Sequence, residues 1–531
     1  MASLCRAATK RGVPPEAIQE TRSKLSAGGI SRRGFLRTAV GGAGAFLALP
    51  RLRAVGDPQP RIAIVGAGIS GLNCALTLAD NGIASTVYES SARIGGRMFS
   101  NNIGYWDENQ VTEWCGEFID TSHTTLQSLA TRFGLALDDV HAGEPVNSTE
   151  TYYFDHGYYS AADAVTDFMP VFTAVQADYE AADEGATYDA INDAGIALDN
   201  ISVWQWIETR VPGGHQSKMG QLLDVAYAIE YGADTRDQSS LNLVLLLAGS
   251  DESLELFGES DERFHVRGGN QLIPQSIAIH LANIGQPVEL GMRLEAIRKL
   301  ADGTFSLAFA NHGVREVIAD IVVLTLPFAV LRTLEFSKAG FDALKKKAIH
   351  ELGRGRNGKL QLQFKDRLWN TDGPWGLSNG TSYADTGYQN TWDATRSQPG
   401  TPGILNDYTG GSVVNHLAAA VPFAFHGNSG AHRDAATFLR RIAAVYPGLA
   451  SRWNGKLTSS IPHLSPQFRL AYSYWRVGQY QSFAGYEGIR QGNIFFAGEH
   501  TSVDYQGFME GAAEEGERAA DEILTQLGVM V

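Results

Sequence analysis

The chain has 531 residues and a formal net charge of -15, with 44% hydrophobic and 19% charged residues. This length exceeds what one hydrophobic core usually supports, so we expect two or three globular domains. The negative charge argues against nonspecific binding to nucleic acid or anionic lipid. Three cysteines (Cys5, Cys74 and Cys115) are too few for a disulfide framework or a zinc-type cluster, and no metal site is expected.

Residues 1–56 read as a leader segment and not as part of the fold. The motif SRRGFLR at 31–37 resembles a twin-arginine export signal, and a weakly apolar Gly/Ala-rich run follows at 38–49. A run of about a dozen residues is too short to span a bilayer and suits the apolar region of a signal. We therefore expect export to the periplasm or the extracellular space, with no stable membrane anchor. The alternative is an accidental Arg-Arg pair before a buried helix.

The segment 61–89 has the order of a dinucleotide-binding unit. An apolar run at 62–65 predicts a buried strand, the pattern at 72–79 predicts a helix, and 86–88 predicts a second strand. The sequence GAGISG lies between the first strand and the helix. In such a unit Gly66 allows the tight turn, Gly68 lets a pyrophosphate approach, and Gly71 lets helix and strand pack closely.

Three further features of this segment favour a bound nucleotide. The helix N-terminus offers free N–H groups and a positive dipole end to phosphates. Glu89 ends the second strand, where its carboxylate can accept both ribose hydroxyls. The sequence RIGGR at 93–97 places two glycines between two arginines, which suits a second backbone approach to the same pyrophosphate and its neutralisation by guanidinium groups.

The whole stretch, GAGISGL…YESSARIGGR, resembles the opening signature of the flavin-containing amine oxidases. This family includes monoamine oxidases, polyamine oxidases and L-amino-acid oxidases. The resemblance implies FAD as the cofactor, held here by Gly66, Gly68, Gly71, Glu89, Ser90, Arg93, Gly96 and Arg97. No cysteine follows Cys115, so the C-terminal thioether to flavin of monoamine oxidases cannot form. We expect FAD to be bound without a covalent link.

The resemblance also implies a mixed α/β fold with a Rossmann-like FAD-binding domain assembled from discontinuous segments. A substrate domain with a mixed sheet and a helical insertion complete it. We expect FAD-binding segments at 57–123, 261–335 and 456–531, the helical insertion over the substrate entrance at 124–260, and the substrate domain at 336–455. Within the second FAD-binding segment, Leu294 would present its backbone to the adenine.

The sequence EWCGEFI at 113–119 departs from the family pattern. Amine oxidases place a Glu-x-Gly-Gly/Ala segment here beside the flavin, and in many amino-acid oxidases an arginine just after it grips the substrate carboxylate. Glu117 and Phe118 occupy that place in this chain. Arg354, Arg356 and Arg476 could supply the carboxylate anchor from another wall, although each is more often a surface or phosphate-side charge.

Lys359 lies in a predicted strand whose alternation places it on the polar face. A lysine in that setting is usually solvated. Its position, however, matches the family lysine that holds a water against flavin N5. That resemblance implies a catalytic role, because an ammonium there would help O₂ take up electrons by stabilising the charge of the developing superoxide.

The C-terminal segments AGEH at 497–500 and GFMEGAA at 507–513 resemble the closing motif of the family. The resemblance implies that Gly498, Glu499, Gly507, Phe508 and Met509 bind FAD. A helix N-terminus aimed at the flavin would stabilise its anionic reduced form. Phe508 and Trp475 fall where amine oxidases place the aromatic pair that encloses the substrate nitrogen.

Two blocks, TGYQNTWDATRSQPG at 386–400 and GILNDYTGG at 403–411, resemble the bacterial L-amino-acid oxidase branch. The resemblance implies oxidation of L-amino acids, with a preference for bulky apolar or aromatic side chains. A hydride would pass from Cα to flavin N5, and the products would be a 2-oxo acid, ammonia and H₂O₂, with O₂ as the acceptor. The alternatives are a monoamine or polyamine oxidase and a flavin-loaded binding protein without turnover. A homo-oligomer is also left open.

Overall fold

The computed structural model of the protein describes residues 59–182, 186–250, 254–311 and 313–529. The expected export signal at 1–56 lies outside these residues. Within them, no helix combines the length and the hydropathy that a membrane crossing requires.

The strands are numbered in chain order. They are β1 Ile62–Val65, β2 Thr86–Tyr88, β3 Ser100–Asn101, β4 Thr112–Glu113, β5 Leu137–Asp139, β6 Thr149–Phe154, β7 Gly157–Tyr159, β8 Phe264–Val266, β9 Arg293–Lys299, β10 Phe305–Ala310, β11 Val314–Ala319, β12 Ile321–Leu324, β13 Gly353–Arg354, β14 Asn357–Phe364, β15 Ser378–Ala384, β16 Asn390–Asp393, β17 Gly403–Gly410, β18 Phe423–Phe425, β19 Trp453–Ser460, β20 Ser473–Tyr474 and β21 Ile494–Phe496.

The α-helices are numbered in the same way. They are α1 Ile69–Asp80, α2 Thr124–Arg132, α3 Ala161–Ala182, α4 Asp193–Asp199, α5 Val203–Arg210, α6 Lys218–Tyr231, α7 Ser240–Leu247, α8 Leu272–Asn283, α9 Phe328–Leu331, α10 Ala343–Glu351, α11 Ser429–Ile442, α12 Tyr480–Phe483 and α13 Met509–Leu527.

A four-stranded parallel sheet, in the order β2-β1-β12-β21, forms the centre of the dinucleotide-binding part. Its two central strands, β1 and β12, are buried along their whole length. They read as continuous apolar runs because a parallel sheet is covered on both faces. The strands come from widely separated parts of the chain, so the Rossmann-like part is discontinuous, as predicted.

Glycines let β1, α1 and α13 pack closely. A Cβ at Gly71 in α1 would lie 2.0 Å from the carbonyl oxygen of Gly66, and Gly66 itself has a φ of +112°. A Cβ at Gly516 in α13 would lie 2.1 Å from the carbonyl oxygen of Ser70. Both contacts leave no room for a side chain, so backbone lies against backbone around the start of α1.

The C-terminal helix is also tied to α2. The Glu510 carboxylate accepts the backbone N–H groups of Thr125 (2.7 Å) and Leu126 (2.9 Å) at the start of α2. These N–H groups have no partner within their own helix, and a carboxylate there also interacts favourably with the helix dipole. The C-terminal helix and the start of α2 thus stabilise one another.

The second layer is an eight-stranded mixed sheet in the order β18-β19-β14-β17-β16-β15-β6-β7. All neighbours are antiparallel except β6 and β15, which run parallel. The predicted helical insertion at 124–260 is therefore not wholly helical, since it contributes β6 and β7 to this sheet. The sequence pattern predicts helices at 203–210 and 240–247, and α5 and α7 have these bounds.

Candidate active site

A cavity of about 700 Å³ joins the two layers. At one end it is lined by the carboxyl edge of the parallel sheet, through Gly66 after β1, Thr325 after β12 and Gly498 after β21. At the other end it is lined by residues of β14, β15, β16 and β17. Ligands of open parallel sheets bind beyond the carboxyl ends of the strands, so the first end is the place for a nucleotide.

Two glycine loops lie side by side at the nucleotide end. The Gly95 N–H donates to the carbonyl of Ala67 at 2.7 Å, and Gly95 forms a parallel bridge with Gly68. A Cβ at Gly68 would meet no protein atom within 4 Å, although its backbone borders the cavity. The protein therefore leaves open the space that a pyrophosphate would need to approach this backbone.

The Glu89 carboxylate is fixed beside these loops. It accepts the backbone N–H of Ala67 (2.9 Å) and of Ser91 (2.8 Å), and the Ser90 hydroxyl donates to it at 3.1 Å. Glu89 is 8% exposed and borders the cavity. That a carboxylate in this place accepts hydrogen bonds from a ribose stays a prediction.

The two predicted phosphate-side arginines have separate surroundings. Arg93 lies with its guanidinium carbon 3.9 Å from the ring centroid of Phe99, and burial lowers its pKa below the ordinary value. Arg97 donates to the Ala471 carbonyl at 2.8 Å and to the Glu499 carboxylate at 3.0 Å. Both arginines border the cavity. They supply positive charge at the end where phosphates would lie.

Glu499 joins the C-terminal motif to this end of the cavity. Its carboxylate accepts the Ser473 hydroxyl (2.7 Å) and the Gly507 N–H (3.1 Å) in addition to Arg97. Burial acts to raise the pKa of Glu499, but Arg97, His500 and the Ser473 hydroxyl outweigh it and hold the pKa below its usual value. The next residue, His500, packs against Phe328 with ring centroids 4.5 Å apart, and burial lowers its pKa to about 4.

Most predicted site residues line this one cavity. They are Gly66, Gly68, Glu89, Ser90, Arg93, Gly96, Arg97, Lys359, Gly498, Glu499, Gly507, Phe508 and Met509. Gly71 does not border the cavity, and it allows the close packing of α1 that was expected of it.

Two predicted residues lie elsewhere. Trp475 packs against Tyr480 and Phe483 in the core, and the aromatic residue of this segment that borders the cavity is Tyr472. The difference arises because Ser473 and Tyr474 form β20, which sets which side chains of the segment face inward. Leu294 lies in β9, pairs with Phe309 of β10 and does not border the cavity.

Lys359 on β14 is paired with Glu117, the residue found where the resemblance to amino-acid oxidases implies an arginine. Lys359 Nζ lies 2.6 Å from Glu117 Oε2 and 2.6 Å from the Cys115 carbonyl oxygen. Their side chains are 8% and 6% exposed. Glu117 also accepts from Trp392 Nε1 (2.9 Å). An ammonium has three N–H donors, so one remains for a water or a ligand in the cavity.

The cavity contains an arginine that the sequence reading missed. Arg396 is 9% exposed, donates to Glu144 at 2.6 Å and to the Asp393 carbonyl at 3.2 Å, and borders the cavity. These bonds use NH1 and Nε, which leaves the NH2 group without a partner among the described residues. Arg396 lies within the block 386–400 that resembles amino-acid oxidases, and that block was the only signal for it.

The three arginines considered as anchors do not border the cavity. Arg476 is bound to Asp237 at 2.8 Å, and Arg356 donates to Asn415 at 3.2 Å. Arg354 is an exposed residue of β13. Arg396 is therefore better placed than any of them to meet a substrate carboxylate.

Several acidic residues also border the cavity. Glu150, Glu230, Glu262 and Asp120 all border the cavity. Burial raises the pKa of Asp120 to about 6, and burial together with the nearby Asp120 carboxylate raises the pKa of Glu230 to about 7. The charged forms of these groups are thus held in an unfavourable place, where a cation would stabilise them.

The paired glycine loops, the fixed acid and the parallel sheet define a dinucleotide-dependent enzyme. Residues 69–524 match the family described as flavin containing amine oxidoreductase, and the chain belongs to that family. FAD is its cofactor, bound without a covalent link. The open space at Gly68, the Glu89 carboxylate and the arginines beside it fit this dinucleotide.

Individual relatives are distant but cover most of the chain. A probable polyamine oxidase of Arabidopsis thaliana is 24% identical over 476 residues, covering 87% of this chain and 86% of that protein. An L-amino-acid oxidase of Mus musculus is 24% identical over 501 residues, covering 90% and 72%. Cyclohexylamine oxidase from Brevibacterium oxydans IH-35A superposes with a TM-score of 0.73 at 21% identity, covering 89% of this chain and all of that one. The last similarity shows the fold alone.

Proposed function

We propose that the protein oxidises L-amino acids to 2-oxo acids, ammonia and H₂O₂. The observation that carries this proposal is Arg396, a buried cation in the cavity wall with an N–H group free to bind a carboxylate. Charge-assisted bonds from a guanidinium are among the strongest that a carboxylate can accept. Arg396 would take over the role of the arginine that Glu117 replaces.

The protein's contribution is orientation and polarity. FAD, when bound, accepts a hydride from the substrate Cα and passes the electrons to O₂. Arg396 fixes the carboxylate, and the rings of Phe508 and Tyr472 border the space left for the substrate. Lys359 retains one N–H for a water near the reacting atoms. The protein needs no additional base if the amine arrives deprotonated, because the lone pair on nitrogen then assists loss of hydride.

The proposal is tested by the variant Arg396→Met in a steady-state peroxide assay. Hydrogen bonds to a charged group contribute roughly 1.5–3 kcal/mol, so kcat/KM for L-amino acids is expected to fall about 10- to 100-fold. The activity on the corresponding decarboxylated amines is expected to stay unchanged. An equal loss on both kinds of substrate would show that Arg396 supports the fold and does not bind a carboxylate.

The second candidate is oxidation of amines that carry no carboxylate. The acids of the cavity wall and the pairing of Glu117 with Lys359 favour it. L-Lysine against cadaverine, and L-phenylalanine against phenethylamine, separate the two candidates in the same assay. Turnover of amines without turnover of amino acids would reject our proposal.

We also propose export by the twin-arginine motif at 31–37, on the sequence alone. Replacing Arg32 and Arg33 by lysine should retain the yellow protein in the cytoplasm. Unchanged export of that variant would contradict the proposal.

A further inference from the structure

We propose that the substrate's side chain ends in a cation, as in lysine, ornithine or arginine. The proposal rests on the proposed function, because it takes the carboxylate end to lie at Arg396. It concerns the acid-rich wall of the cavity, formed by Glu150 on β6, Glu230 on α6 and Glu262 before β8. A cationic side chain would bind among these three carboxylates.

The hydroxyl of Tyr383 marks the place where that cation would bind. Tyr383 on β15 is 2% exposed and borders the cavity, and its hydroxyl has no hydrogen-bond partner among the described residues. Burial and then the carboxylates of Glu150, Glu262 and Glu230 raise its pKa well above the ordinary value, so the hydroxyl lies within the field of all three acids. A hydroxyl at the surface of a cavity can donate and accept hydrogen bonds with a ligand. An ammonium or guanidinium would donate to this oxygen and to the carboxylates around it.

Two of the acids also lack partners. No hydrogen bond or ion pair joins the side-chain carboxylate of Glu230 or Glu262 to any other described residue. Glu150, in contrast, accepts the Tyr152 hydroxyl at 2.6 Å. Carboxylates without a partner bind a cation more readily than carboxylates that are already bound.

The surrounding rings suit the same ligand. Tyr408 on β17 and Trp392 on β16 border the cavity beside Tyr383. Aromatic faces pack against the methylene groups of a long side chain and attract a terminal cation. A purely apolar or aromatic side chain would fill the same space but leave Tyr383 and Glu230 without partners.

The opposite charges of the two substrate ends also match the charges that border the cavity, Arg396 for the carboxylate and the acids for the cation. Burial raises the pKa of Glu262 and of Glu150, and the charge of Arg396 opposes part of this rise. The carboxylate site and the proposed cation site border the same cavity, so one molecule in it can meet both. A molecule with one carboxylate and a distal cation matches this arrangement, whereas a diamine leaves Arg396 unused.

The test compares L-lysine with L-norleucine, which has the same carbon chain and no terminal amine, on the FAD-loaded enzyme. We expect kcat/KM for L-lysine to exceed that for L-norleucine at least 10-fold. Glu230→Gln and Tyr383→Phe should remove most of that ratio by lowering kcat/KM for L-lysine, with L-norleucine unchanged. Glu295→Gln, an exposed residue of β9, is the control with the same chemical change and should leave the ratio intact.

Binding is measured separately by titrating the flavin absorbance with 6-aminohexanoate and with hexanoate. We expect 6-aminohexanoate to bind more tightly than hexanoate. Glu230→Gln should weaken the binding of 6-aminohexanoate at least 10-fold. A higher kcat/KM for L-norleucine or L-phenylalanine than for L-lysine would overturn the cation site. Equal binding of 6-aminohexanoate and hexanoate would overturn it as well. Oxidation of cadaverine without oxidation of L-lysine would instead reject the proposed function and leave the cation site standing.

Discussion

The buried pair of Glu117 and Lys359 should be strongly coupled in energy. Their charged atoms are 2.6 Å apart, which corresponds to an attraction of about 6 kcal/mol at an effective dielectric constant of 20. Loss of solvation offsets much of this, but removing one partner leaves the other charge buried and alone. Glu117→Gln and Lys359→Met should therefore each lower the free energy of unfolding by about 3–5 kcal/mol.

The double variant Glu117→Gln/Lys359→Met removes both charges together. We expect it to be more stable than the sum of the single losses predicts, by about 2 kcal/mol or more. Urea unfolding of the FAD-loaded protein, followed by flavin fluorescence and by far-ultraviolet circular dichroism, measures the three variants in one series. Lys347→Met/Glu351→Gln, an exposed pair on α10, is the control and should show a coupling near zero. Additive losses at Glu117 and Lys359 would refute the reasoning.

Three further predictions concern the cofactor, the dependence of stability on pH and the reaction with oxygen. Gly68→Ala should leave the stability of the FAD-free protein unchanged but weaken FAD binding at least 10-fold in titrations. Gly71→Ala should instead destabilise the protein itself, because the added Cβ would lie 2.0 Å from a carbonyl oxygen. The pKa of His500 is lowered to about 4, so the contribution of the neutral imidazole to stability is full above pH 6.5 and decreases as the pH falls toward 4. At pH 5 the free energy of unfolding should be lower by about 2 kcal/mol than at pH 7.5. In His500→Phe, urea unfolding at pH 5 and pH 7.5 should not show this loss. Lys359→Met should slow reoxidation of the substrate-reduced enzyme by O₂ about 100-fold in stopped-flow measurements, with anaerobic reduction less affected.

The sequence predicts best the parts whose chemistry is local. A strand, a glycine turn, a helix and an acid follow one another within 30 residues, and each has a residue type that its role requires. In helices such as α5 and α7, the helical spacing of apolar residues is visible within a short stretch of sequence. These features depend on neighbours along the chain, which the sequence displays directly.

The substrate end could not be predicted in the same way, since it depends on contacts between distant residues. The pairing of Lys359 with Glu117 spans 242 positions, and neither residue alone indicates the other. Tyr472 and Trp475 are both aromatic, and only β20 decides which faces the cavity. The β6–β7 hairpin was missed because its tyrosine pairs show little alternation between polar and apolar residues.

The position of β21 and α13 near residue 500 has a consequence for when the cofactor can bind during synthesis of the chain. The last strand of the parallel sheet and the helix that holds α2 come from residues 494–527, so an emerging polypeptide cannot enclose its nucleotide until translation has passed this point. Cofactor capture would then report that residues 494–527 have been added to the chain. A ribosome-stalled product ending near residue 490 should stay colourless, however correctly its first two hundred residues have folded.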